Sequence, residues 1–434
     1  MTYTKTSAST GAGAGTAARR PHPRRRLRTA AAATAVTALT VLALPAPPAA
    51  AEESTQCTFP GKTYEGRPWA LQRVLLDELW KQSTGKGVRV AVIDTGVDVK
   101  HPQLAKAVDT GSGANLLPEK DAKGNKLDRG KADGTTDTVG HGTKVAGIIA
   151  ARPAKGTGFV GLAPGATIIP VKQNDAEGNG TATSLARAIR HAIDEEADVI
   201  NISQDTANAV EPAPELKEAV DAALEKEIVV VASAGNDGLG GNVKKTYPAS
   251  YEGVLAVASS DRNNERAAFS QSGDFVGVAA PGVDMISTVP GGGHCADNGT
   301  SFSAPYVAAV AALIKSKHDT WTRQQIVAQI QQTAERSVAG HDRLVGWGVV
   351  DPVRALTEDD KPIEKPVAQE GLTRAEAPTP AMAHLGESPE ERTARLATYV
   401  VVGGGVLVAA IAGGAVAVRD ARRRARRVAT GAGG

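Results

Sequence analysis

Aromatic side chains are rare in this chain of 434 residues: Phe, Tyr and Trp together make up 3%. A core built on rings is therefore excluded. It must rest on Ala, Val, Ile and Leu, within an apolar fraction of 41% that is ordinary for a globular protein. Cysteine is scarcer still. Cys57 and Cys295 are too few for a disulfide framework and fit no zinc spacing. In an exported chain the simplest reading is one bridge between them, with two unpaired thiols as the alternative. Calcium ligands are also missing. The stretch DAKGNKLD, residues 121–128, lacks the acidic residues and the glycine position of a calcium loop. The folded part lacks excess positive charge: the net +2 resolves into +7 over residues 1–51, +5 over 419–434 and −10 between them. An acidic middle argues against nucleic-acid binding, which needs a basic face on the folded domain.

The basic charge sits at the two ends, where it has a reading of its own. Residues 1–51 resemble a secretory signal. Arg19, Arg20, Arg24, Arg25, Arg26 and Arg28 form the charged region, Thr29 to Leu44 a weakly apolar run, and Ala49 to Ala51 a small-residue cleavage site. The mature chain would start near Glu52. At the other end, Tyr399 to Val418 is 20 residues without a charge. At about 1.5 Å per residue this spans roughly 30 Å, the thickness of a bilayer core. Five glycines argue against a buried soluble helix, and RDARRRARR follows at once. The basic cluster places the C-terminus, 419–434, in the cytoplasm and the rest of the chain outside. Gly405, Ala409 and Gly413 form a small-residue row that could pack on another helix. Residues 358–398, rich in Pro, Glu and Ala, read as a linker.

Between the ends, two segments remain. Residues 52–84 hold Cys57, Trp69 and Trp80, and Trp69, Leu71, Val74, Leu75 and Leu79 have helical spacing. This is short for a self-folding unit and reads as an extension that packs on the main domain. Residues 85–357 alternate strands with helices. Strands are expected at Val88–Ile93, Ala166–Val171, Val199–Ser203, Ile228–Ala232, Val254–Ser259 and Phe275–Ala279. Helices are expected at Gly140–Ala151, Leu185–Glu196, Pro214–Lys226, Ser301–Lys317 and Trp321–Thr333, and a polar surface loop over 109–139. Such alternation predicts an α/β fold, a parallel sheet with helices on both faces. Continuous apolar runs such as Val88–Ile93 mark strands buried on both sides.

Three residues stand where chemistry would need them. Asp94 closes the first strand, on the rim where sites of open α/β sheets gather. His141 stands at the start of a small-residue helix. Ser301, after Gly299 and Thr300, opens another, where free backbone N–H groups can face developing negative charge. The stretches VAVIDTGV, GHGTKVAG and NGTSFSAP resemble the three signature blocks of subtilisin-like serine proteases. VASAGND resembles the block that carries their oxyanion asparagine, here Asn236. The order Asp, His, Ser is also that of subtilisin.

The resemblance implies a subtilisin-like fold and peptide-bond hydrolysis. His141 would be the base for Ser301 and Asp94 its orienting carboxylate. Asn236 would hold the oxyanion, a donor whose loss costs subtilisin about 10²–10³ in rate. No metal or organic cofactor is implied. Gly178, Asn179 and Gly180 resemble the edge segment that pairs with an extended peptide. Ser203 begins the opposite segment, but Gln204 and Asp205 depart from the family's Ser-Leu-Gly-Gly, which implies a narrow or altered pocket. The whole layout, including PWALQRVLLDELW and GWGVVDPVRAL, resembles the mycosins, membrane-anchored proteases of type VII secretion systems. That implies a peptide or protein substrate and a secretion complex as partner, with no nucleic acid. It also implies an extension that wraps the catalytic domain, which a Cys57–Cys295 bridge would suit. Two roles are open: limited proteolysis of secreted substrates, or a subunit that stabilises the secretion complex.

Overall fold

The structure, a computed structural model, describes residues 57–120, 123–175, 180–204, 213–239, 245–368 and 389–430. The signal read over 1–51 lies outside them. In chain order the elements are α1 (Trp69–Gln72), α2 (Leu76–Gln82), β1 (Arg89–Asp94), β2 (Ala114–Asn115), α3 (His141–Ala150), β3 (Thr167–Lys172), α4 (Ala182–Asp194), β4 (Val199–Ile202) and α5 (Pro214–Glu225). They continue with β5 (Val229–Ser233), β6 (Leu255–Ser260), β7 (Val276–Pro281), β8 (Met285–Thr288), β9 (His294–Asp297), α6 (Thr300–Lys317), α7 (Arg323–Thr333), α8 (Pro352–Thr357) and α9 (Pro389–Thr430). The first seven strands form one sheet in the order β2-β3-β1-β4-β5-β6-β7, and every pairing is parallel. β1 lies inside the sheet, so its end opens onto the carboxyl rim between two neighbours.

Side chains alternate along a strand, and here the alternation divides two cores. Val90 and Val92 of β1 and Val229 and Val231 of β5 join the core that contains α3 and α6. Ala91, Ile93, Val230 and Ala232 join the core under α4 and α5. Both faces are buried, which is why these strands show no polar alternation. In α6, every residue from Thr300 to Ile314 is buried. Its alanines let that helix press against the sheet. Pro305 is the sixth residue of the helix, past the first turn, so its missing N–H leaves the Ser301 carbonyl without the usual helical donor.

The extension is part of the fold's interior. Its spacing predicts one helix, but two short ones form, broken at 73–75. Val74 and Leu76 are both buried while Leu75 is 63% exposed. Residues two apart lie on different sides of a continuous helix, so burying both requires the break. Trp69 donates its indole N–H to the Val283 carbonyl, and Trp80 donates to Leu162, each at 2.9 Å. Ahead of α1, residues 61–64 run along β9: Gly61 N–H bonds Gly292 O, and His294 N–H bonds Lys62 O, each at 2.9 Å.

The polar stretch 109–139 contributes the two-residue edge strand β2, and the hairpin β8–β9 was not foreseen. Gly291, Gly292 and Gly293 turn that hairpin with φ of 79°, 118° and 79°. The start of the expected linker is laid on the domain. Asp359 accepts from Lys317 (2.7 Å) and His318 (2.6 Å), and Glu364 accepts from Gln325 (2.7 Å). α9 begins at Pro389, ten residues ahead of the uncharged stretch, because PEERTARLAT supplies strong helix formers behind a proline at the first helical position.

Candidate active site

Asp94 ends β1 and is 2% exposed. The helix bearing His141 starts almost on top of it. Gly140 takes φ 82°, the left-handed region, and turns the chain into α3. Gly142 allows the approach: a Cβ there would lie 2.2 Å from the Gly96 carbonyl oxygen and 3.0 Å from Asp94 Cβ. The Gly-His-Gly spacing is thus what lets an imidazole and a buried carboxylate meet. His141 Nδ1 lies 2.8 Å from Asp94 Oδ1 and 3.0 Å from Oδ2. A carboxylate only accepts, so Nδ1 carries the proton and donates, leaving Nε2 as the acceptor. Burial pushes the imidazole's pKa down, but the charge and hydrogen bond of Asp94, helped by Asp137, outweigh it. His141 is held above its ordinary 6.5.

Asp137, in the turn before α3, was not singled out from the sequence. It is 6% exposed. Its Oδ1 accepts from Val139 N–H (3.0 Å), Gly140 N–H (2.8 Å) and Thr95 Oγ1 (3.0 Å). Its Oδ2 accepts from Thr143 N–H (2.9 Å) and Thr143 Oγ1 (2.6 Å). These bonds pin the start of α3 to the end of β1. Burial pushes the Asp137 carboxyl up, against the hydrogen bonds. Lys172 ends β3 opposite Asp94 in register. Its ammonium donates to the carbonyls of Thr95 (2.6 Å) and Thr136 (3.1 Å), and burial lowers its pKa. A charged residue closing an apolar strand was the one signal that could have found it. Asp137 sits in a polar loop and had none.

Ser301 is the second residue of α6 and is 9% exposed. The next residue, Phe302, packs on the His141 ring with centroids 5.2 Å apart. Asn236 follows β5 and is exposed. Its Oδ1 accepts from Thr300 N–H (2.9 Å) and Thr300 Oγ1 (3.1 Å). The backbone donor fixes which side-chain atom is oxygen, and so turns the NH₂ group away from Thr300. In the first turn of α6 the Thr300 N–H goes to Asn236 and the Phe302 N–H to the Gly299 carbonyl at 3.1 Å, while the helical ladder supplies no acceptor for the Ser301 N–H. Asp94, His141, Ser301 and Asn236 thus come from β1, α3, α6 and the loop after β5, all at the carboxyl rim.

The expected substrate contacts are only partly described. Gly180 lies just before α4, and a Cβ there would fall 2.1 Å from Gln173 Oε1. Ser203 is buried after β4 and receives a 2.8 Å hydrogen bond from Asn201. Gln204 is half-buried, and its Nε2 has no partner among the described residues. Gly178, Asn179 and Asp205 lie outside the described residues. A cavity of about 990 Å³ opens beside Lys172, lined also by Leu116, Leu127, Thr138, Gly180 and Ser184. The candidate triad does not line it. Among the described residues no cluster of His, Cys, Asp or Glu has the makings of a metal site. Cys57 and Cys295 are bonded to each other, with Cα atoms 5.9 Å apart, which ties the extension to β9.

Comparison with known proteins agrees with this architecture. The model of the subtilase family (Peptidase_S8) matches residues 85–348. Subtilisin E of Bacillus subtilis is 37% identical over 286 residues, covering 65% of this chain and 70% of its own. Subtilisin Savinase of Lederbergia lenta is 37% identical over 285 residues, 65% of this chain and 96% of its own. Among solved structures, the MycP3 protease from the type VII (ESX-3) secretion system matches with a TM-score of 0.59 and 33% identity, covering 70% of this chain and 91% of that one. MycP1 from Mycobacterium smegmatis matches at 0.58 and 32%, covering 72% and 91%. With the fold, the rim and these relatives in agreement, the chain belongs to the subtilase family and is a subtilisin-like serine endopeptidase, with mycosin proteases among its structural neighbours.

Proposed function

We propose that this protein is a membrane-anchored endopeptidase that cuts peptide bonds outside the cell membrane through Asp94, His141 and Ser301, in limited processing linked to type VII secretion. The observation that carries the reading is the two-oxygen contact of Asp94 with His141 Nδ1. It leaves Nε2 unprotonated, as a base for a serine must be. Ser301 Oγ attacks the scissile carbonyl while His141 Nε2 takes its proton. The oxyanion that forms is met by the Asn236 side-chain amide and the Ser301 backbone N–H. His141 then returns the proton to the leaving amine. Water, activated by the same base, releases the acyl group from Ser301. The secretion link comes from neighbours that belong to type VII systems. The anchor is argued from α9, whose Val400 and Ile411 are 74% and 64% exposed, a cost in water that a bilayer removes. The domain boundaries at 52, 85, 358 and 399 belong to the same proposal.

A second reading, a stabilising subunit of the secretion complex, is favoured by Gln204. A polar side chain whose Nε2 has no partner among the described residues stands where the family has leucine, and broad digestion needs an apolar pocket. A fluorophosphonate probe on the full chain in detergent separates the two. Labelling that disappears in Ser301→Ala is the expected result. A folded wild-type chain that takes no label would overturn the endopeptidase reading.

A further inference from the structure

α3 reads His-Gly-Thr-Lys-Val-Ala-Gly-Ile-Ile-Ala, and apart from His141 its one ionisable residue is Lys144. Lys144 is 5% exposed, in a helix otherwise buried with small and apolar side chains. A methionine or leucine would fill such a position without desolvating a charge. An ion pair with one partner buried and the other, Asp297, 41% exposed is a weak source of stability compared with well-packed apolar residues. Stability alone therefore does not account for a lysine here.

Its contacts point elsewhere. Lys144 Nζ donates to Asp297 Oδ2 at 2.8 Å. Asp297 is the last residue of β9, four residues before Ser301, and its other oxygen accepts the Asn298 N–H at 2.8 Å. The same turn of α3 is bolted to β8. Ser287 Oγ donates to the Lys144 carbonyl (2.6 Å), and Thr288 Oγ1 donates to that of Thr143 (2.8 Å). One residue thus links the helix that starts with His141 to the strand that leads into Ser301. Lys144 Nζ also lies 5.9 Å from the centre of the Phe302 ring. That ring is the one packed on His141. An ammonium on a ring it shares with an imidazole opposes positive charge on the imidazole through a low-dielectric path. The groups around His141 otherwise favour that charge or are neutral: Asp94 from β1, Asp137 from the turn before α3, and Ser301 and Phe302 from α6. Lys172, from β3, is held on the Thr95 and Thr136 carbonyls.

We propose that Lys144, held by Asp297, is a positioning residue of the serine protease reaction: it fixes the His141 helix against the approach to Ser301 and limits how readily the imidazole takes a proton. In sign, the Lys144 charge lowers the proton affinity of His141, against Asp94 and Asp137. The proposal rests on the reading of His141 as the base, but its physical content concerns the imidazole and can be measured without turnover.

The measurement is the pH dependence of carbethoxylation at His141, whose side chain is 28% exposed. The full chain in detergent is treated with diethyl pyrocarbonate, which reacts with an imidazole only in its neutral form. Peptide mapping then separates His141 from the other seven histidines of the chain's eight. Lys144→Met removes the ammonium and keeps most of its stem. Its midpoint is expected to rise by roughly half a pH unit, about a threefold loss of reactivity on the acid side. Asp297→Asn leaves the ammonium without its counter-charge, and the midpoint is expected to fall by a similar amount. The double variant should return near wild type. Opposite displacements are something a loss of packing alone does not produce. Equal midpoints in all four proteins, or displacements in the same direction, would overturn the proposal. If Lys144→Met does not fold, Asp297→Asn decides alone by the sign of its shift. A chain that titrates as expected but takes no fluorophosphonate would sink the endopeptidase reading and leave standing only the charge coupling of Lys144 to the His141 imidazole.

Discussion

His141 shows how neighbouring charge sets the proton affinity of a single side chain. Asp94 and Asp137 outweigh burial and hold its pKa above 6.5. A base must be neutral to accept the Ser301 proton, so activity should climb with pH through a midpoint above that value. Measured kcat/KM against a peptide substrate from pH 5 to 9 checks this; a midpoint below 6.5 would contradict the carboxylates' dominance. Stability runs the other way. A raised folded-state pKa contributes stability that is fully present below about pH 6.5 and is lost as pH rises through the folded value. The proposed base is therefore expected to work where it gives the fold least. Asp94, His141 and Ser301 were singled out in the sequence by their local frames, a strand end and two helix starts, and Asn236 by a block that resembles the family's; the structure brings Asp94 and His141 into contact. Asp137 and Lys144 were not singled out. One lies in a polar loop, the other in an apolar helix, and only their partners, brought in from elsewhere in the chain, give them meaning.

At the scale of elements, the decisive contact is that of the extension with β9. Tyr64 N–H donates to His294 Nδ1 at 3.1 Å, so Nε2 carries the proton and donates to Gln103 Oε1 at 2.8 Å. Both ring nitrogens are committed in the neutral form. Burial, with His101 close by, pushes His294 down to about 4. An unfolded histidine titrates near 6.5. Between those values the unfolded chain binds a proton that the folded chain does not, so stability falls as pH drops through that window. The melting temperature of the full chain in detergent is expected to fall from pH 7 to pH 4.5. His294→Asn, which offers Oδ1 to Tyr64 and does not titrate, should flatten that slope. His101, lowered by burial in the same way, accounts for a remainder. An undiminished slope in the variant would exclude His294 as its source. None of this was readable in advance: the extension's helical spacing was visible, but the hairpin it lies against depends on three glycines and on pairing across distant sequence.

At the scale of the whole molecule, charge and apolarity are sorted along the chain. The acidic middle folds around Ala- and Val-rich cores, while the basic charge and one long uncharged stretch stand toward the two ends of the sequence. α9 exposes Val400, Val401, Leu407 and Ile411, side chains that no neighbour in the described residues covers. The proposed span predicts that the full chain sediments with membranes and resists high salt and alkaline carbonate, while detergent releases it. A chain ending at residue 388 should be released without detergent. Recovery of the full chain in the soluble fraction would remove the anchor from the proposal.

The α/β alternation and the double burial of the sheet strands were determined by sequence alone. Both follow from spacing within ten or so residues, where backbone geometry dictates which side chains share a face. The four signature blocks were read by their resemblance to the family. The break between α1 and α2, the β8–β9 hairpin, the Asp137 hub and the Lys144–Asp297 tie were decided only by the tertiary structure. Each depends on partners far apart in the chain, and a buried charge or a broken helix is stable only where the packed fold supplies the matching group.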